Sequence, residues 1–434
     1  MKVAVVGLGK IGLPLAMQFA GRGHHVVGVD IEERVLAAVR DARAPFPGEP
    51  GLAERLARAV DAGVFEATAD TAAAVAASDV VVVVVPLYVN DASEPDFAAI
   101  DAATAAIGRG LRPGTLVTFE TTLPVGTTRG RIGARLTEIS GLTPGVDFFL
   151  AFSPERVSSG RVFRDLAHYP KLVGGVDAES GLRAAAFYAE GLEFDERPDL
   201  DRPNGVWDLG SAEAAEFAKL AETTYRDVNI GLANQFALYA DSIGVDFREI
   251  AAACNSQPFS HLHQPGIAVG GHCIPVYPWF YLAGDPDATV VRAARAANAD
   301  MPRRSVELLE RVHGDLTGAS VLVLGACYRG GVKETAFSGV FAVVDALRAR
   351  GALPTVSDPL FSPTELAALG LEPHGDLPGR PVDAAVVQAD HPQYRDLTPA
   401  DLPGVATLLD GRAILDPARW PGVTVVRLGG GRPS

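Results

Sequence analysis

Cys273 is the residue whose surroundings first suggest chemistry. It stands in the stretch QPGIAVGGHCIPVYP, after two glycines and before Pro275, and the chain has only three cysteines. The glycines leave the backbone uncrowded and the proline stiffens the turn, so the thiol could be presented to a cleft as a nucleophile. Free cysteines are more often buried and inert, and we assign Cys254 and Cys327 to that class. The residues alone leave both interpretations of Cys273 open.

Lys219 is a second candidate because it lies inside a predicted long helix, with Thr223 one turn later on the same face. A lysine ammonium in a cleft could stabilise a developing oxyanion and favour the ionised form of a nearby thiol. Spacing alone favours a simpler interpretation, in which Lys219 is solvated and pairs with Glu216 or Glu222. The chain has only five lysines, so one inside a helix is worth following.

Two polar residues follow predicted strands, at the edge where open α/β sheets bind their ligands. Glu155 in FSPERV could act as a general base toward water, with a helix-capping acid as the alternative. Thr122 in ETTLPVGTT occupies a similar strand end, with an ordinary turn as the alternative. His272 adjoins Cys273, but neighbours in a turn rarely face one another, so we do not expect it to be the base. No histidine, cysteine and aspartate cluster has metal-ligand spacing, so no metal is expected.

The motif GLGKIG follows the first predicted strand and opens a helix, with glycines at positions 7, 9 and 12. Gly7 permits the tight turn, Gly9 lets the backbone approach a pyrophosphate, and Gly12 allows close packing of the helix. Asp30 follows at the end of the second strand, where its carboxylate can bind ribose hydroxyls and would repel a 2′-phosphate. The pattern therefore predicts a site for NAD rather than NADP. A Rossmann-like fold with an empty or different nucleotide site is the alternative.

The elements around these residues alternate between strands and helices. Near-continuous valine runs such as DVVVVVVP are typical of parallel strands buried on both faces. A second α/β pattern begins at ASVLVLG and continues through LPTVSDP, VDAAVVQADH, ATLLDG and VTVVRL. The fold class is therefore α/β, with two Rossmann-like, doubly wound, parallel-sheet domains joined by a long central helix.

Domain boundaries follow from the same patterns. PDLDRPNGV, at residues 198–206, has the composition of a linker, and a run of some 34 residues ending at Gly244 predicts one long helix. The apolar positions of this helix cover too much of its surface for a lone exposed helix, so we expect it to form a spine between domains or a dimer contact. We place the domains at residues 1–200, 201–302 and 303–434.

Composition excludes several classes of partner. The net charge of −15 argues against nucleic acid and anionic membranes, which require a basic surface. The longest apolar run, residues 80–86, is far shorter than the roughly 20 residues of a membrane span. The first strand follows Met1 almost directly, so we expect no signal peptide. Three cysteines far apart in the sequence suit a reducing cytoplasm.

Taken in order, GLGKIG, TTLPVGTT, SPERV, AKLAETTYRDVNIGLAN and PGIAVGGHCIP closely resemble the UDP-sugar 6-dehydrogenase family, over nearly the whole chain. The sequences of the last two motifs are most similar to the branch that acts on UDP-N-acetylhexosamines, particularly UDP-N-acetylmannosamine. The resemblance implies a four-electron oxidation of the sugar C6 alcohol to a carboxylate with two NAD in succession. It also implies a cytoplasmic homodimer, dimerising through the central domain, with UDP-sugar bound by the C-terminal domain.

Residue roles are carried over from the same resemblance. Cys273 would form a thiohemiacetal and then a thioester with the substrate, Lys219 and Thr223 would assist the oxyanions, and Glu155 and Thr122 would serve hydrolysis. Further NAD contacts are implied at Lys10, Ile11, Pro86, Thr122 and Arg329. Further substrate contacts are implied at Arg156, Val157, Gly270, Gly271 and Tyr328, beside Glu155 and Lys219.

Several positions depart from the family pattern. The family usually has asparagine where this chain has Thr223 and aspartate where it has Tyr277. It usually has arginine in place of Phe259, lysine in place of Arg329 and arginine in place of Ala336. These departures lie on the substrate side and bear on the identity of the sugar and nucleotide more than on the reaction. UDP-glucose remains an alternative substrate. A two-electron dehydrogenase with a structural Cys273 and a non-catalytic nucleotide-sugar binding protein remain alternative functions.

Overall fold

The computed structural model describes residues 1–431. The chain forms two compact units. The first contains residues 1–222 and 279–284, and the second contains residues 223–278 and those from 285 onward. Each unit has its own sheet, mostly parallel in the first unit and entirely parallel in the second, and its own buried core.

The first unit is built on ten strands, eight of which form one sheet. The strands are β1 Lys2–Val6, β2 His25–Val29, β3 Phe65–Thr68, β4 Val80–Val83, β5 Tyr88–Val89, β6 Pro95–Asp96, β7 Leu116–Phe119, β8 Phe149–Phe152, β9 Lys171–Gly175 and β10 Val206–Asp208. Its helices are α1 Gly12–Gly21, α2 Glu33–Arg40, α3 Leu52–Asp61, α4 Thr71–Ala76, α5 Ala98–Gly110, α6 Gly133–Ser140, α7 Val162–His168 and α8 Ala178–Gly191. A π-helical turn, Thr128–Ile132, precedes α6.

The order of the eight-stranded sheet is β10-β9-β8-β7-β4-β1-β2-β3, while β5 and β6 form a separate pair. The valine run predicted as a buried strand is β4, and all four of its residues are buried. Every pair in the large sheet is parallel except β8 and β9, which are antiparallel. This one exception differs from the predicted all-parallel sheet, because a fully buried strand has the same apolar pattern in either direction. β10 pairs with β9, so the sheet includes residues as far as Asp208.

The predicted long helix is α9, Ala212–Ile243, and it is 32 residues long. Its residues as far as Glu222 belong to the first unit and those from Thr223 belong to the second. The other helices after it are α10 Phe247–Cys254, α11 Tyr277–Gly284, α12 Thr289–His313, α13 Gly339–Arg348 and α14 Pro363–Ala368. Within residues 1–431, no helix combines the length and the apolar character needed to cross a bilayer.

The second unit has a five-stranded parallel sheet in the order β12-β11-β13-β14-β15. The strands are β11 Ser320–Leu324, β12 Leu353–Ser357, β13 Ala384–Val387, β14 Thr407–Asp410 and β15 Thr424–Arg427. Each falls within a segment that the sequence pattern predicts as a strand. The α/β class with two Rossmann-like sheets and a long middle helix is therefore confirmed.

The two sheets share one local design. In the first unit, Gly7 N donates to Val29 O at 2.8 Å, and the Asp30 carboxylate accepts the next amide hydrogen. In the second, Gly325 N donates to Ser357 O at 2.8 Å, and the Asp358 carboxylate accepts the next amide hydrogens. Both turns thus tie the end of the first strand to an acid at the end of the second. The two halves are alike in architecture although their sequences differ.

Candidate active site

The glycine loop after β1 has the geometry that a dinucleotide needs. Gly7 has a φ of +98°, a backbone conformation that side chains disfavour. A Cβ on Gly12 would lie 1.8 Å from the Gly7 carbonyl oxygen, so only glycine fits where α1 begins. Gly9 has no heavy atom within 4 Å of the place its Cβ would occupy, which leaves its backbone open to a ligand. Lys10 and Ile11 complete the turn, and Lys10 is exposed.

Backbone amide groups hold the Asp30 side chain in place beside the glycine loop. Its Oδ2 atom accepts the Leu8 amide hydrogen at 2.8 Å and its Oδ1 atom accepts that of Glu32 at 2.9 Å. Each carboxylate oxygen has a second lone pair for a ribose hydroxyl. Pro86 follows β4, the neighbour of β1 in the sheet, and is exposed. These residues therefore fit NAD, and the helix that begins at Gly12 would favour its pyrophosphate.

Thr122 is buried in the turn that follows β7. This turn is fastened to α9 by Glu216, whose side chain has no exposed surface. Its Oε2 atom accepts the Gly126 amide hydrogen at 2.6 Å, and its Oε1 atom accepts the amide and hydroxyl hydrogens of Thr128 at 2.8 and 2.6 Å. Burial raises the pKa of Glu216 to about 7, against the effect of these donors. Sequence spacing had suggested Glu216 as a partner of Lys219; its described hydrogen bonds go to the turn instead.

Glu155 lies in the loop after β8, at the adjacent strand end. Its Oε1 atom accepts the amide hydrogens of Arg156 and Val157 at 2.5 and 3.0 Å. Its own amide donates to the backbone oxygen of Glu120 at 3.2 Å. The next helix begins only at Val162, so Glu155 is not a helix cap. The loop thus fixes one carboxylate oxygen and leaves the other to face the interior.

Lys219 is buried, with 7% of its surface exposed, which is inconsistent with a solvated surface lysine. Its Nζ atom donates to the backbone oxygen of Glu155 at 2.5 Å. Glu222, the other partner that spacing suggested, pairs with Arg156 at 2.9 Å. α9 therefore places an ammonium directly against the loop that carries Glu155. Thr223, one turn later, is also buried and lies in the second unit.

A buried charged cluster lies behind Glu155, and the sequence patterns did not reveal it. Glu120, just after β7, is fully buried, and Lys171, the first residue of β9, is 5% exposed. Lys171 Nζ forms an ion pair with Glu120, whose other oxygen accepts the Tyr188 hydroxyl hydrogen at 2.5 Å. Burial raises the pKa of Glu120 to about 7, although Lys171 and Tyr188 act in the opposite direction. The only sequence signal was the scarcity of lysine.

Cys273 lies in the second unit, in the turn before α11, where its side chain is exposed and forms no disulfide. The preceding glycines are required by packing. A Cβ on Gly270 would lie 2.6 Å from the Tyr328 Cβ atom, and Gly271, with a φ of +92°, lies against the ring of Tyr328. The Gly271 amide donates to Ala336 O at 2.9 Å. The thiol is therefore presented by a backbone that has little freedom.

The other side of the Cys273 turn is held by α12. Arg295 is buried and forms an ion pair with the buried Asp227 of α9. It also donates to the backbone oxygen of Pro275 at 3.2 Å, two residues after the cysteine. Asn298 donates to the Asp227 carboxylate at 2.7 Å. The segment TYRDVN, which helped to carry the family resemblance, thus includes the acid that positions the arginine supporting the Cys273 turn.

Residues predicted to contact the ligands from the second unit lie near this turn or in the loop after β11. Tyr328 packs on the glycines, and Arg329 is exposed, with its guanidinium 6.0 Å from the Tyr328 ring. Arg412 is a residue that the sequence analysis missed. Its side chain donates to Gln388 O at 2.6 Å and to Tyr328 O at 3.3 Å, and burial lowers its pKa. Phe259, at the position where the family usually has arginine, is 93% exposed.

Three potential metal ligands meet in the second unit, although no spacing in the sequence indicates it. The ligand atoms of Cys327, Asp358 and His391 lie within 4.8 Å of one another, and all three residues are buried. Asp358 Oδ2 already accepts hydrogen bonds from Ala326 N and Cys327 N and lies 3.1 Å from His391 Nε2. Burial raises the pKa of the Cys327 thiol to about 12. A neutral thiol beside a carboxylate oxygen that already accepts hydrogen bonds forms part of a hydrogen-bonded core and not a strong metal site.

The predicted site residues therefore fall into two groups, one in each unit. The first unit contains Gly7, Gly9, Lys10, Ile11, Gly12, Asp30, Pro86, Thr122, Glu155, Arg156, Val157 and Lys219. The second contains Thr223, Gly270, Gly271, Cys273, Tyr328 and Arg329. Within the first unit the structure brings Lys219 into contact with the Glu155 loop, and within the second it brings Tyr328 against the glycines that precede Cys273.

Similarity to known proteins extends along the chain. Residues 1–191 match the NAD binding domain of the UDP-glucose/GDP-mannose dehydrogenase family, residues 213–300 its central domain, and residues 322–417 its UDP binding domain. The chain is 34% identical to a UDP-N-acetyl-D-mannosamine dehydrogenase of Pyrococcus horikoshii, over 92% of this chain and 91% of that protein.

Two solved structures are similar over almost the whole chain. A UDP-D-ManNAc dehydrogenase from Pyrococcus horikoshii has a TM-score of 0.86 and 30% identity, covering 99% of this chain and 100% of that one. A UDP-glucose dehydrogenase from Pyrobaculum islandicum has a TM-score of 0.84 and 28% identity, covering 99% and 97%. Both the NAD-binding loop and the extent of similarity lead to one conclusion. The chain belongs to the UDP-glucose/GDP-mannose dehydrogenase family and is an NAD-dependent UDP-sugar dehydrogenase, most like the UDP-N-acetylmannosamine dehydrogenases.

Proposed function

We propose that this enzyme oxidises the C6 hydroxyl of UDP-N-acetylmannosamine to a carboxylate, with two NAD consumed for each sugar. The observation that carries the proposal is the contact between the buried Lys219 ammonium and the backbone oxygen of Glu155. It places a cation of α9 against the strand-end loop that carries a potential hydrolytic base. A two-electron alcohol dehydrogenase has no hydrolytic step and no use for such a base. The Pyrococcus horikoshii relatives support the choice of sugar.

NAD, when bound, would supply the acceptor for the hydride that leaves C6 in each oxidation. Between the two, the Cys273 sulfur adds to the C6 aldehyde and forms a thiohemiacetal, which retains the half-oxidised sugar. Oxidation of this adduct leaves a thioester, and water then releases the carboxylate and regenerates the thiol. Four electrons leave the substrate, and the second carboxylate oxygen comes from water. The free, exposed thiol of Cys273 is suited to this role.

The remaining residues act on charge and water. Lys219 would stabilise the oxyanions formed at C6, with Thr223 contributing one hydroxyl donor on the same face of α9. Glu155 would accept a proton from the hydrolytic water, since one of its oxygens is fixed by two amides and the other has no hydrogen-bond partner. Thr122, buried in the neighbouring turn, would help to orient this water.

Substrate contacts are proposed within each unit. In the first unit, Arg156 and Val157 adjoin Glu155, and in the second, Gly270, Gly271 and Tyr328 adjoin the Cys273 turn. Arg329, in the second unit, is proposed as an NAD contact. We assign residues 1–200 to NAD binding, 201–302 to the central catalytic and dimerising domain, and 303–434 to the UDP-sugar.

UDP-glucose is the second candidate substrate, supported by the similarity to the Pyrobaculum islandicum structure. The departures at Tyr277, Phe259 and Ala336 bear on this choice. A panel of UDP-N-acetylmannosamine, UDP-N-acetylglucosamine, UDP-glucose and GDP-mannose, assayed for NADH production, separates the candidates. The proposal predicts the highest kcat/KM for UDP-N-acetylmannosamine. A higher value for UDP-glucose would contradict the assignment of the sugar, and no NADH from any of them would indicate a binding protein.

The role of Cys273 has its own test. Cys273→Ser should reduce formation of the uronic acid by at least a hundredfold, because an alkoxide is formed less readily than a thiolate and an ester hydrolyses more slowly than a thioester. Cys254→Ser is the matched control, since that residue lies on α10 outside the predicted site. Unchanged turnover of Cys273→Ser would remove the covalent step from the account.

We also propose that the enzyme is a homodimer, joined through α9. Within the second unit, exposed apolar side chains follow one face of this helix at spacings of three, four and seven residues: Tyr225, Leu232, Phe236, Tyr239 and Ile243. Such spacing forms a continuous stripe, which is typical of a helix that packs against another helix. The same stripe on a second copy of the chain can pack against it across a twofold axis.

Charge reversal within the stripe tests the dimer. Phe236→Glu should convert a dimer into a monomer in light scattering at micromolar concentration, because two copies of the charge would be buried at the interface. Exposed Leu182, on α8 in the first unit, provides a control, and Leu182→Glu should leave the mass unchanged. A monomeric wild-type enzyme would contradict the proposal.

A further inference from the structure

Lys171 lies between two carboxylates of the first unit and forms an ion pair with each, but it lies within hydrogen-bond distance only of Glu120. Its Nζ atom forms an ion pair and a hydrogen bond with Glu120. Its distance to Glu155 Oε2 is 3.6 Å, which is too long for a hydrogen bond but short for an electrostatic contact. The lysine is 5% exposed, so little water screens this interaction.

Glu120 and Tyr188 determine where the lysine ammonium lies. Glu120 is fully buried and accepts hydrogen bonds on both oxygens, one from Lys171 and one from Tyr188 at 2.5 Å. Tyr188 is also fully buried, and its hydroxyl is 2.9 Å from that of Thr118. The ammonium also lies 4.9 Å from the centre of the tyrosine ring. The Glu120 carboxylate and the Tyr188 ring therefore both contact the Lys171 ammonium.

Glu155 Oε2 is buried and has no hydrogen-bond partner, whereas Oε1 accepts two amide hydrogens. A buried oxygen without a partner is unfavourable unless it serves a purpose or feels a compensating charge. Lys171 provides that charge without occupying the lone pair. A direct hydrogen bond from the ammonium would leave Oε2 a much poorer acceptor for a proton from water. Removal of the ammonium would leave a buried carboxylate that protonates readily.

We propose that Lys171 is a positioning residue for the hydrolytic step, and that Glu120 and Tyr188 hold its ammonium near enough to Glu155 Oε2 to compensate its charge, yet too far to occupy the lone pair that accepts a proton. This inference rests on the proposed role of Glu155 as hydrolytic base. It adds three residues to that step that do not touch the substrate.

Other charged groups face the same loop and must be accounted for in any pH profile. Lys219 donates to the backbone oxygen of Glu155. Arg156 is paired with Glu222 at 2.9 Å. Asp165 accepts the Ser158 amide hydrogen at 3.0 Å and is also paired with Arg161 at 3.7 Å. The Lys171 ammonium lies 3.6 Å from Glu155 Oε2.

The charges of the cluster are consistent with this geometry. Burial opposes the charge of Lys171, but the neighbouring carboxylates of Glu120 and Glu155 raise its pKa, so it stays protonated. Burial raises the pKa of Glu120 to about 7. Loss of the negative charge on Glu120 would leave Glu155 as the only carboxylate beside the ammonium.

Two substitutions should move the pH dependence of hydrolysis in opposite directions. Lys171→Met removes the positive charge. In the pH–rate profile of single-turnover hydrolysis, the acidic limb, where the rate falls toward low pH, should therefore move to higher pH by about 1 to 3 units. Glu120→Gln leaves Glu155 as the only carboxylate beside the ammonium, so the acidic limb should move to lower pH. The plateau rate should also fall, because Glu155 becomes a weaker base. Lys171→Arg keeps the charge and should restore the limb to within about half a pH unit of the wild-type position.

Hydrolysis is read separately from oxidation by quenching the reaction and measuring the acyl adduct on the Cys273 peptide by mass spectrometry. The adduct should accumulate in Lys171→Met below neutral pH. Lys171→Met leaves a buried carboxylate unpaired, which is destabilising. The double variant Lys171→Met/Glu120→Gln removes both charges and should show the same upward movement. Lys333→Met and Glu365→Gln, which break an exposed pair, are the matched controls.

The outcomes separate this inference from the proposed function. If the wild-type enzyme yields two NADH per sugar but the limbs of both single variants and of the double variant stay in place, Lys171 has only a structural role and the inference is overturned. If both limbs move in the same direction, the opposed action of Glu120 is wrong. If the wild-type enzyme yields one NADH or none, the proposed function itself fails.

Discussion

Glu216 connects α9 to the turn that contains Thr122, and the change Glu216→Gln predicts a stability difference that changes sign with pH. The carboxylate is fully buried and accepts three hydrogens, two of them from Thr128. Burial is the largest influence on it and raises its pKa from 4.5 to about 7. In the unfolded chain this side chain is solvated and titrates near 4.5. The folded protein therefore binds the proton more tightly than the unfolded chain does.

The sign and size follow from this difference. A carboxyl with a raised pKa in the folded state contributes most to stability below about pH 4.5, and this contribution is lost as pH rises to about 7. At 1.36 kcal/mol for each pH unit, the loss is about 3 kcal/mol. Glutamine keeps an acceptor for Thr128 but turns an amide donor toward the Gly126 amide, which costs about 1 to 3 kcal/mol at any pH.

Glu216→Gln should therefore be less stable than the wild type at pH 5 and of equal or greater stability at pH 8. Urea unfolding followed by circular dichroism at both pH values measures the two differences. Glu213→Gln is the control, because its partner Arg129 lowers the pKa of Glu213 and no change in its charge is expected between pH 5 and 8. A Glu216→Gln difference that is the same at pH 5 and pH 8 would refute the reasoning.

Three further predictions concern the site. Gly12→Ala should weaken NAD binding at least tenfold in fluorescence titration, because the new Cβ would lie 1.8 Å from the Gly7 carbonyl oxygen; unchanged affinity would contradict the loop geometry. Iodoacetamide should alkylate the exposed Cys273 at least a hundredfold faster than the buried Cys327, whose pKa is raised to about 12, as measured by peptide mass spectrometry; equal rates would show that burial does not protect Cys327. Lys219→Ala should reduce kcat about a hundredfold with little change in NAD affinity, and a selective loss of NAD affinity would contradict its placement.

Much of the fold could be predicted because its signals are local. The valine run of β4, the long helix α9 and the turn at Gly7 each depend on residues that are close in sequence. The direction of β9 could not be predicted, since a fully buried strand has no pattern that distinguishes parallel from antiparallel pairing.

The site was predictable only in part, for a related reason. Residues such as Asp30 and Glu155 follow strands, and strand ends can be recognised from sequence. Spacing along α9 identifies only Glu216 and Glu222, on the same helix, as partners for Lys219. In the structure, Lys219 donates a hydrogen bond to the loop after β8. A contact across 64 residues leaves no local pattern.

The cluster of Glu120, Lys171 and Tyr188 is the clearest case of what a single sequence conceals. Its members are 51 and 68 residues apart, and each lies on a different element of the sheet or its covering helix. Nothing in the neighbourhood of Lys171 distinguishes it from a surface lysine at the start of a strand. Only the fold brings the three together and gives the lysine a carboxylate on each side.

Covalent capture of a half-oxidised sugar by Cys273 is the central claim. The most direct test is the number of NADH molecules formed for each UDP-N-acetylmannosamine consumed, with the uronic acid measured as product. The account predicts two NADH for each sugar and no free aldehyde. One NADH for each sugar, with an aldehyde or ketone as product, would contradict it.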